Sequence, residues 1–335
     1  MNIHTDKIHF YKLTLEEQRQ MNVVSQDLGV LSDWQDKHAQ LFDRQNIKLN
    51  HRLRETGLFT EDAIGQLIEK AAPHQYSLNT MGFQKDVNEW RHGEIQGISG
   101  REVINTIRAG RLWLNLFRIM EIDSKYDRVL DQIFGEFESF IPGLKTFKRN
   151  ITLLVSSPKI QVYYHADIQG QSLWQLEGKK RVYVYPANDA FLTDESIEKI
   201  LMQETEEEVP YQTWYDDHAE VHDLEPGQMM HWPLYGPHRV ENHDCLNISV
   251  TTEHWTREIR NEFAVRYGNG VLRRIFGLKG LSTRPKGIHV YPKAAATLAW
   301  KRLKFEKARQ VEKKVDFRLD PGSKEGILDI EPYLK

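Results

Sequence analysis

His165, Ala166 and Asp167 stand together, and a lone His238 follows them downstream. Two imidazoles and one carboxylate can hold a divalent iron on one face and leave the opposite face open for a co-substrate and dioxygen. The surrounding run, Val162-Tyr163-Tyr164-His165-Ala166-Asp167-Ile168, reads as a strand. Side chains alternate along a strand, so His165 and Asp167 are expected to project from the same face. The third ligand must then arrive from another strand. His231 competes with His238 for that place. Seven residues separate them, so on one continuous strand they would face opposite sides, but Tyr235-Gly236-Pro237 interrupts the alternation. His218, His222, His243 and His254 read as surface or supporting groups. Taken alone, His165 and Asp167 also describe a hydrogen-bonded structural pair.

The elements that must position these groups change character along the chain. Residues 11–75 read as helix and loop. Thr60-Glu61-Asp62 opens a helix with Ala63, Ile64, Leu67 and Ile68 at amphipathic spacing, and Ser99-Gly100-Arg101-Glu102 opens another that stops near Gly110. Leu112 to Leu116 alternates like a strand, and Tyr126 to Phe140 is helical until Pro142-Gly143 breaks it. From about residue 146 to 255 strands dominate. They are residues 151–155, 160–168, 174–178, 181–185, 228–232 and 246–252. The pair flanking Gly178-Lys179 reads as a hairpin. An acidic stretch at 187–225, with Glu204 and Glu206-Glu207-Glu208, interrupts the strands. After Trp255 helices return, at 256–267 and from Tyr291 to about Val311, the second with Ala295, Leu298, Ala299 and Leu303 on one face.

The 335 residues are enough for a substantial core, and neither the 40% hydrophobic nor the 28% charged content departs from that of an ordinary globular protein. A net charge of −3 gives no overall attraction to nucleic acid or membrane. The single Cys245 excludes an intrachain disulfide, which fits a cytoplasmic protein, and it reads as a core residue of a strand. Residues 1–10 lack an apolar signal core, and no apolar run approaches membrane-spanning length. Between Arg266 and Lys314 only two acids, Glu306 and Glu312, stand among many lysines and arginines. That region could meet an anionic partner such as nucleic acid. The plainer explanation, a solvated face balancing the acidic stretch, is preferred because no nucleic-acid motif accompanies it.

Two further segments sharpen the metal assignment. One is Trp174-Gln175-Leu176-Glu177-Gly178-Lys179-Lys180-Arg181-Val182-Tyr183-Val184-Tyr185-Pro186. The other runs from Glu225-Pro226-Gly227 through Met229-Met230-His231-Trp232-Pro233 to His238-Arg239-Val240. Together with His165 and Asp167 these resemble the JmjC and cupin-like family of iron(II)/2-oxoglutarate oxygenases, closest to its hydroxylases. The likeness covers about residues 160–255. It implies a mainly β core, a double-stranded β-helix (jelly roll, cupin-like), with N-terminal and C-terminal helical additions. The expected division is 1–95 helical and loop, 96–256 jelly roll, and 257–335 helical. The first and last parts resemble the family only loosely, and pairing of two chains through the C-terminal helices is expected from their position.

The resemblance implies metal ligation by His165, Asp167 and His238, with 2-oxoglutarate as co-substrate and Lys180 on its distal carboxylate. Lys179 is the competitor, and strand alternation puts it on the opposite face from Lys180. Tyr163 and Gln175 are candidate cofactor-binding residues beside the alternative of core packing. Trp174 and Trp232 read as core aromatics, and Arg239 as an anion-holding group or a surface ion pair. The chain departs from the family in three places. Gly236-Pro237 precede the distal histidine where aromatic residues are common. Glu253 stands where asparaginyl hydroxylases carry Asn, and Val162 where some members carry a threonine. The activity implied is hydroxylation of a protein or peptide side chain or a small molecule, with release of succinate and carbon dioxide; demethylation is the same chemistry on an N-methyl group. Two alternatives remain at this point: a non-enzymatic cupin-like regulatory protein binding through its basic C-terminal region, and a cupin using another metal without 2-oxoglutarate.

Overall fold

The computed structural model describes residues 28–81, 90–205, 209–303 and 314–334. The run Glu206 to Glu208, the end of the last expected helix toward Val311 and residues 1–10 lie outside these. Eight strands form the core. They are β5 (Phe147–Ser156), β6 (Gln161–His165), β7 (Gly170–Glu177), β8 (Lys180–Val184), β9 (Glu220–Leu224), β10 (Gln228–His231), β11 (His238–Asn242) and β12 (Asn247–Trp255). One sheet holds β10-β7-β12-β5 and the other holds β6-β11-β8-β9, all antiparallel within these sets. This order is a double-stranded β-helix, the jelly roll. Between the sheets lie Leu154, Leu173, Val182, Val184, Leu224, Met230, Trp232 and Val240.

The flanking regions are less helical than their composition suggests. Strand β1 (Ile47–Asn50) pairs with β10 at one edge of the larger sheet. At the other edge, β4 (Trp113–Leu116), β2 (Tyr76–Met81) and β3 (Trp90–Glu94) continue outward from β5. The C-terminal strands β13 (Lys314–Leu319) and β14 (Ile327–Leu334) complete that edge, β13 lying parallel to β3. Regions expected as helical at both ends therefore supply five strands to the larger sheet, four of them (β2, β3, β13 and β14) together with β4 on the β5 side. Helices cover its outer face: α1 (Asp36–Leu41), α2 (Glu61–Lys70), α3 (Gly100–Ala109), the short α4 (Ile119–Ile122) and α5 (Lys125–Phe140). Thr60 caps α2 by accepting the Ala63 N–H, and Ser99 with Glu102 closes a capping box on α3. Their apolar stripes, with Ile64, Leu67, Ile104, Ile107, Ile133 and Phe137, pack on outward residues such as Leu153, Trp174 and Val250.

The Gly178-Lys179 turn corrects an expectation. Strands β7 and β8 do not pair as a hairpin: β7 pairs with β10 and β12, β8 with β11 and β9. In a jelly roll the turn carries the chain from one sheet to the other, and close spacing in sequence does not distinguish the two cases. Gly178 has φ +74°, and a Cβ there would lie 2.1 Å from the Leu246 carbonyl oxygen. Gly178→Ala combines backbone strain with a clash against backbone, so a loss of about 3 kcal/mol in urea unfolding is expected. An unchanged midpoint would contradict the role assigned to this turn.

A second apolar cluster includes Tyr164, Tyr185, Phe191, Ile197, Tyr235 and Tyr267. It joins the smaller sheet to α6 (Asp194–Leu201) and α7 (Arg257–Phe276), and α8 (Val290–Arg302) packs on α7. Basic residues of α7 meet acids from the 194–204 segment within one chain: Arg266 with Asp194, Arg273 with Glu198 and Arg274 with Glu204. On α8 the inward face is Lys293, Ala296, Thr297 and Trp300, whereas Leu298 and Leu303 of the expected face are exposed. Cys245 lies in a bend before β12, half-buried, accepting the Lys179 N–H; it is not a strand core residue. No helix among the described residues is long and apolar enough to cross a membrane.

Two histidines outside the barrel make the fold acid-sensitive. His51 accepts the Leu53 N–H at Nδ1 and donates from Nε2 to the Gln175 carbonyl, so protonation would break a bond. His254 is buried with Nε2 unpartnered, which rules out the surface half of the expectation for it. Burial pulls each down to about 4. The neutral ring is the one the fold accommodates, so the stabilisation is intact above the unfolded value of about 6.5 and is lost as pH falls from there toward 4. Each contributes of order 3 kcal/mol. The urea midpoint is expected to drop clearly between pH 7 and pH 4.5; equal midpoints would contradict this.

Candidate metal centre

His165 ends β6, and His238 begins β11 directly opposite it. Three residue steps along β6, from Val162 to His165, match two along β11, from Val240 to His238. This bulge resets the alternation, so Val162 packs on the barrel core while His165, an odd number of residues further on, meets His238. The expected strand through Asp167 therefore stops at His165, and Asp167 lies just beyond its end. The shared strand face was the wrong reason for a correct pairing in space. Ligand atoms of His165, Asp167 and His238 all lie within 4.8 Å of one another.

Both imidazoles are oriented the same way. His165 Nδ1 lies 2.7 Å from the Tyr163 carbonyl oxygen, and His238 Nδ1 lies 3.0 Å from that of Gly236. A carbonyl only accepts, so each Nδ1 carries the proton and each Nε2 presents a lone pair. The rings sit 4.1 Å apart at 51°. Asp167 Oδ2 stands 3.5 Å from His238 Nε2, buried and accepting no hydrogen bond. Burial, followed by the neighbouring His165, holds His238 well below its ordinary value and therefore neutral. Burial also pushes Asp167 up, against the pull of His165 and a hydrogen bond from the Trp232 indole. The arrangement puts two imidazole Nε2 atoms and a desolvated carboxylate at one point, a set that a dication would satisfy.

Lys180 lies four residues from Val184, the β8 partner of His238, so about 13 Å deeper along the strand. It is 3% exposed, and its ammonium donates to Ser249 Oγ at 2.8 Å. No acidic group pairs with it among the described residues, and burial pulls it down to about 7. A buried cation with a hydroxyl as its partner is suited to an anion. Lys179 points the other way, to Asp223 and Glu225. Gln175 stands opposite Ser249 in the register. Its Nε2 donates to Asn247 Oδ1 and the Glu177 carbonyl, and its Oε1 is buried without a partner.

Other expected residues lie elsewhere. Tyr163 sends its ring into a cluster with Met81, Ile160 and Trp90, beside the barrel core, and touches the centre through its carbonyl. His231 turns to the opposite side from His238, with Nε2 2.9 Å from Asp43 Oδ1 and its ring stacked on Phe42. Arg239 is neither at the centre nor on the surface. It is buried on the outer side of β11 against Asp216, Glu241 and the Tyr183 ring. Trp174 packs outward as a core aromatic. Trp232 belongs to the barrel core as expected, and it also lies 4.4 Å ring to ring from His238 and binds Asp167. Ser249 was not singled out from the sequence, although Asn247, Ser249, Thr251 and Glu253 place a polar group at every second position of a strand buried on both faces.

No family model matches the chain, and no curated protein matches it. Solved structures similar to it include the Escherichia coli ribosomal oxygenase YcfD, at 15% identity and a TM-score of 0.46, covering 82% of this chain and 67% of that one. The same protein in complex with cobalt and 2-oxoglutarate gives 16% identity and a TM-score of 0.45, over 82% and 67% of the two chains.

Proposed function

We propose that this protein is an iron(II)- and 2-oxoglutarate-dependent oxygenase that hydroxylates a protein or peptide side chain or a small molecule. The observation that carries the reading is the convergence of two histidine Nε2 lone pairs, each fixed by a backbone carbonyl, on the unpartnered Oδ2 of Asp167. Lys180, buried beneath that centre without an acidic partner among the described residues, supports an anionic co-substrate. His165, Asp167 and His238 would hold the iron, and Lys180 with Ser249 the far carboxylate of 2-oxoglutarate. When bound, iron and 2-oxoglutarate supply the oxidising power: one dioxygen is consumed, the keto acid leaves as succinate and carbon dioxide, and the substrate C–H becomes C–OH.

The chain's own residues do the rest. The Tyr163 and Gly236 carbonyls fix ring orientation and tautomer, as outer partners of metal ligands do. Trp232, Val184 and Val240 wall the pocket with apolar surface and exclude water. A purely DNA- or RNA-binding role is less well supported, since Arg266, Arg273 and Arg274 of the basic region are already paired within the chain. The test is succinate formation by anaerobically purified protein given iron(II), 2-oxoglutarate and then air. Succinate is expected from the wild type and not from His165→Ala. Failure of the wild type to bind 2-oxoglutarate would reject the reading.

A further inference from the structure

We propose that Glu253 selects the substrate of this centre by receiving a cationic side chain, a guanidinium or an ammonium, at the mouth of the metal pocket. This rests on the oxygenase reading above. Along β12, Ser249, Thr251 and Glu253 face the barrel interior. Ser249 holds Lys180 at depth, so Glu253, four residues on, stands toward the metal end. There it is in register with Asn150 of β5 and Gln171 of β7.

Neither bound group explains this carboxylate. Among the described residues the converging ligand atoms come from His165, Asp167 and His238 and not from Glu253. Both ends of 2-oxoglutarate are anionic and would be repelled by it. Among the described residues its one hydrogen-bond donor is Asn150, whose Nδ2 lies 3.1 Å from Oε2. Asn150 Oδ1 is itself buried without a donor. The mouth therefore has acceptors in excess. A dication would neutralise Asp167 and leave Glu253 uncompensated. Arg118 acts on Glu253 from a distance, but it is exposed and ion-paired with Glu121. Burial and the charge of Asp167 both push Glu253 up, while the Asn150 hydrogen bond draws it down. A cation with several N–H groups would supply what is missing to Glu253 and to Asn150 Oδ1 together, and a guanidinium does so in one rigid fork.

The test is calorimetric binding to protein loaded with manganese(II) and 2-oxoglutarate under nitrogen. The probes are Nα-acetyl-arginine amide and its citrulline counterpart, and nine-residue peptides carrying arginine or citrulline at the centre. The wild type is expected to prefer arginine at least tenfold, in the free amides if the substrate is small and only in the peptides if it is a polypeptide. In Glu253→Gln that ratio is expected to fall below twofold, and a ratio within one variant is unaffected by an overall loss of affinity. A wild-type ratio near one in both formats, which needs no variant to fold, overturns the proposal; so does an undiminished ratio in Glu253→Gln. If the wild type does not bind 2-oxoglutarate, the oxygenase reading has failed; if it binds 2-oxoglutarate but shows no preference for arginine, only the role of Glu253 has.

Discussion

Lys180→Met is expected to weaken 2-oxoglutarate binding at least about 100-fold and, in the absence of that ligand, to make the protein more stable. The two effects have one cause. Burial of the ammonium against Ser249 alone pulls Lys180 down to about 7, from an unfolded value of about 10.4. A lysine lowered in the folded state costs stability as pH falls from the unfolded value to the folded one. At pH 7 and below that cost is of order 5 kcal/mol, and Met removes it. The same cation is what the distal carboxylate would meet, and truncating one partner of a buried pair costs about 3–5 kcal/mol. Thermal melts should therefore place ligand-free Lys180→Met above the wild type, with 2-oxoglutarate raising the wild type only. Calorimetry on manganese-loaded protein reads the affinity. An affinity within about threefold of wild type would remove Lys180 from the site.

Asp167→Asn separates a metal centre from a structural pair. As a metal ligand the carboxylate contributes the only negative charge of the set, and its loss should weaken manganese(II) binding by about 100-fold or more. As a structural acceptor for His238 it should be missed when the protein is metal-free. The geometry argues against the second case. Oδ2 is 3.5 Å from His238 Nε2 and accepts no hydrogen bond, His238 is held neutral, and burial disfavours the ionised carboxylate. An asparagine amide would donate to the Nε2 lone pair and relieve the buried charge. The metal-free variant is thus expected to be at least as stable as wild type. A large loss of stability with undiminished manganese binding would identify a structural pair instead.

The core strands and the capped helices were legible because their signals are local: Thr60 and Ser99 as caps, and short apolar, β-branched runs in β5 and β12. The resemblance pointed to Lys180, and alternation put Lys179 on the opposite face, which the regular β8 keeps. The pairing of His165 with Asp167 was right while its stated geometry was not, because a bulge between Val162 and His165 is invisible in residue types. The β7–β8 turn was misassigned because a glycine turn serves a hairpin and a sheet-to-sheet crossing equally. β3, with Trp90-Arg91-His92-Gly93-Glu94, has no apolar alternation to read. β13 does alternate, with Val315, Phe317 and Leu319 buried, but the charged sequence before it, expected as helix, hides that signal. On α8 the longer apolar side chains suggested the wrong face. The packed face is chosen by Trp300 and by Gly268 of α7, against which Lys293 closes.

The most direct measurement is an anomalous difference map from crystals soaked with manganese(II) and 2-oxoglutarate without oxygen. One peak is expected, bonded by Nε2 of His165, Nε2 of His238 and a carboxylate oxygen of Asp167, with the keto acid reaching from it to Lys180. A peak elsewhere, or density for the dicarboxylate away from Lys180, would contradict the assignment.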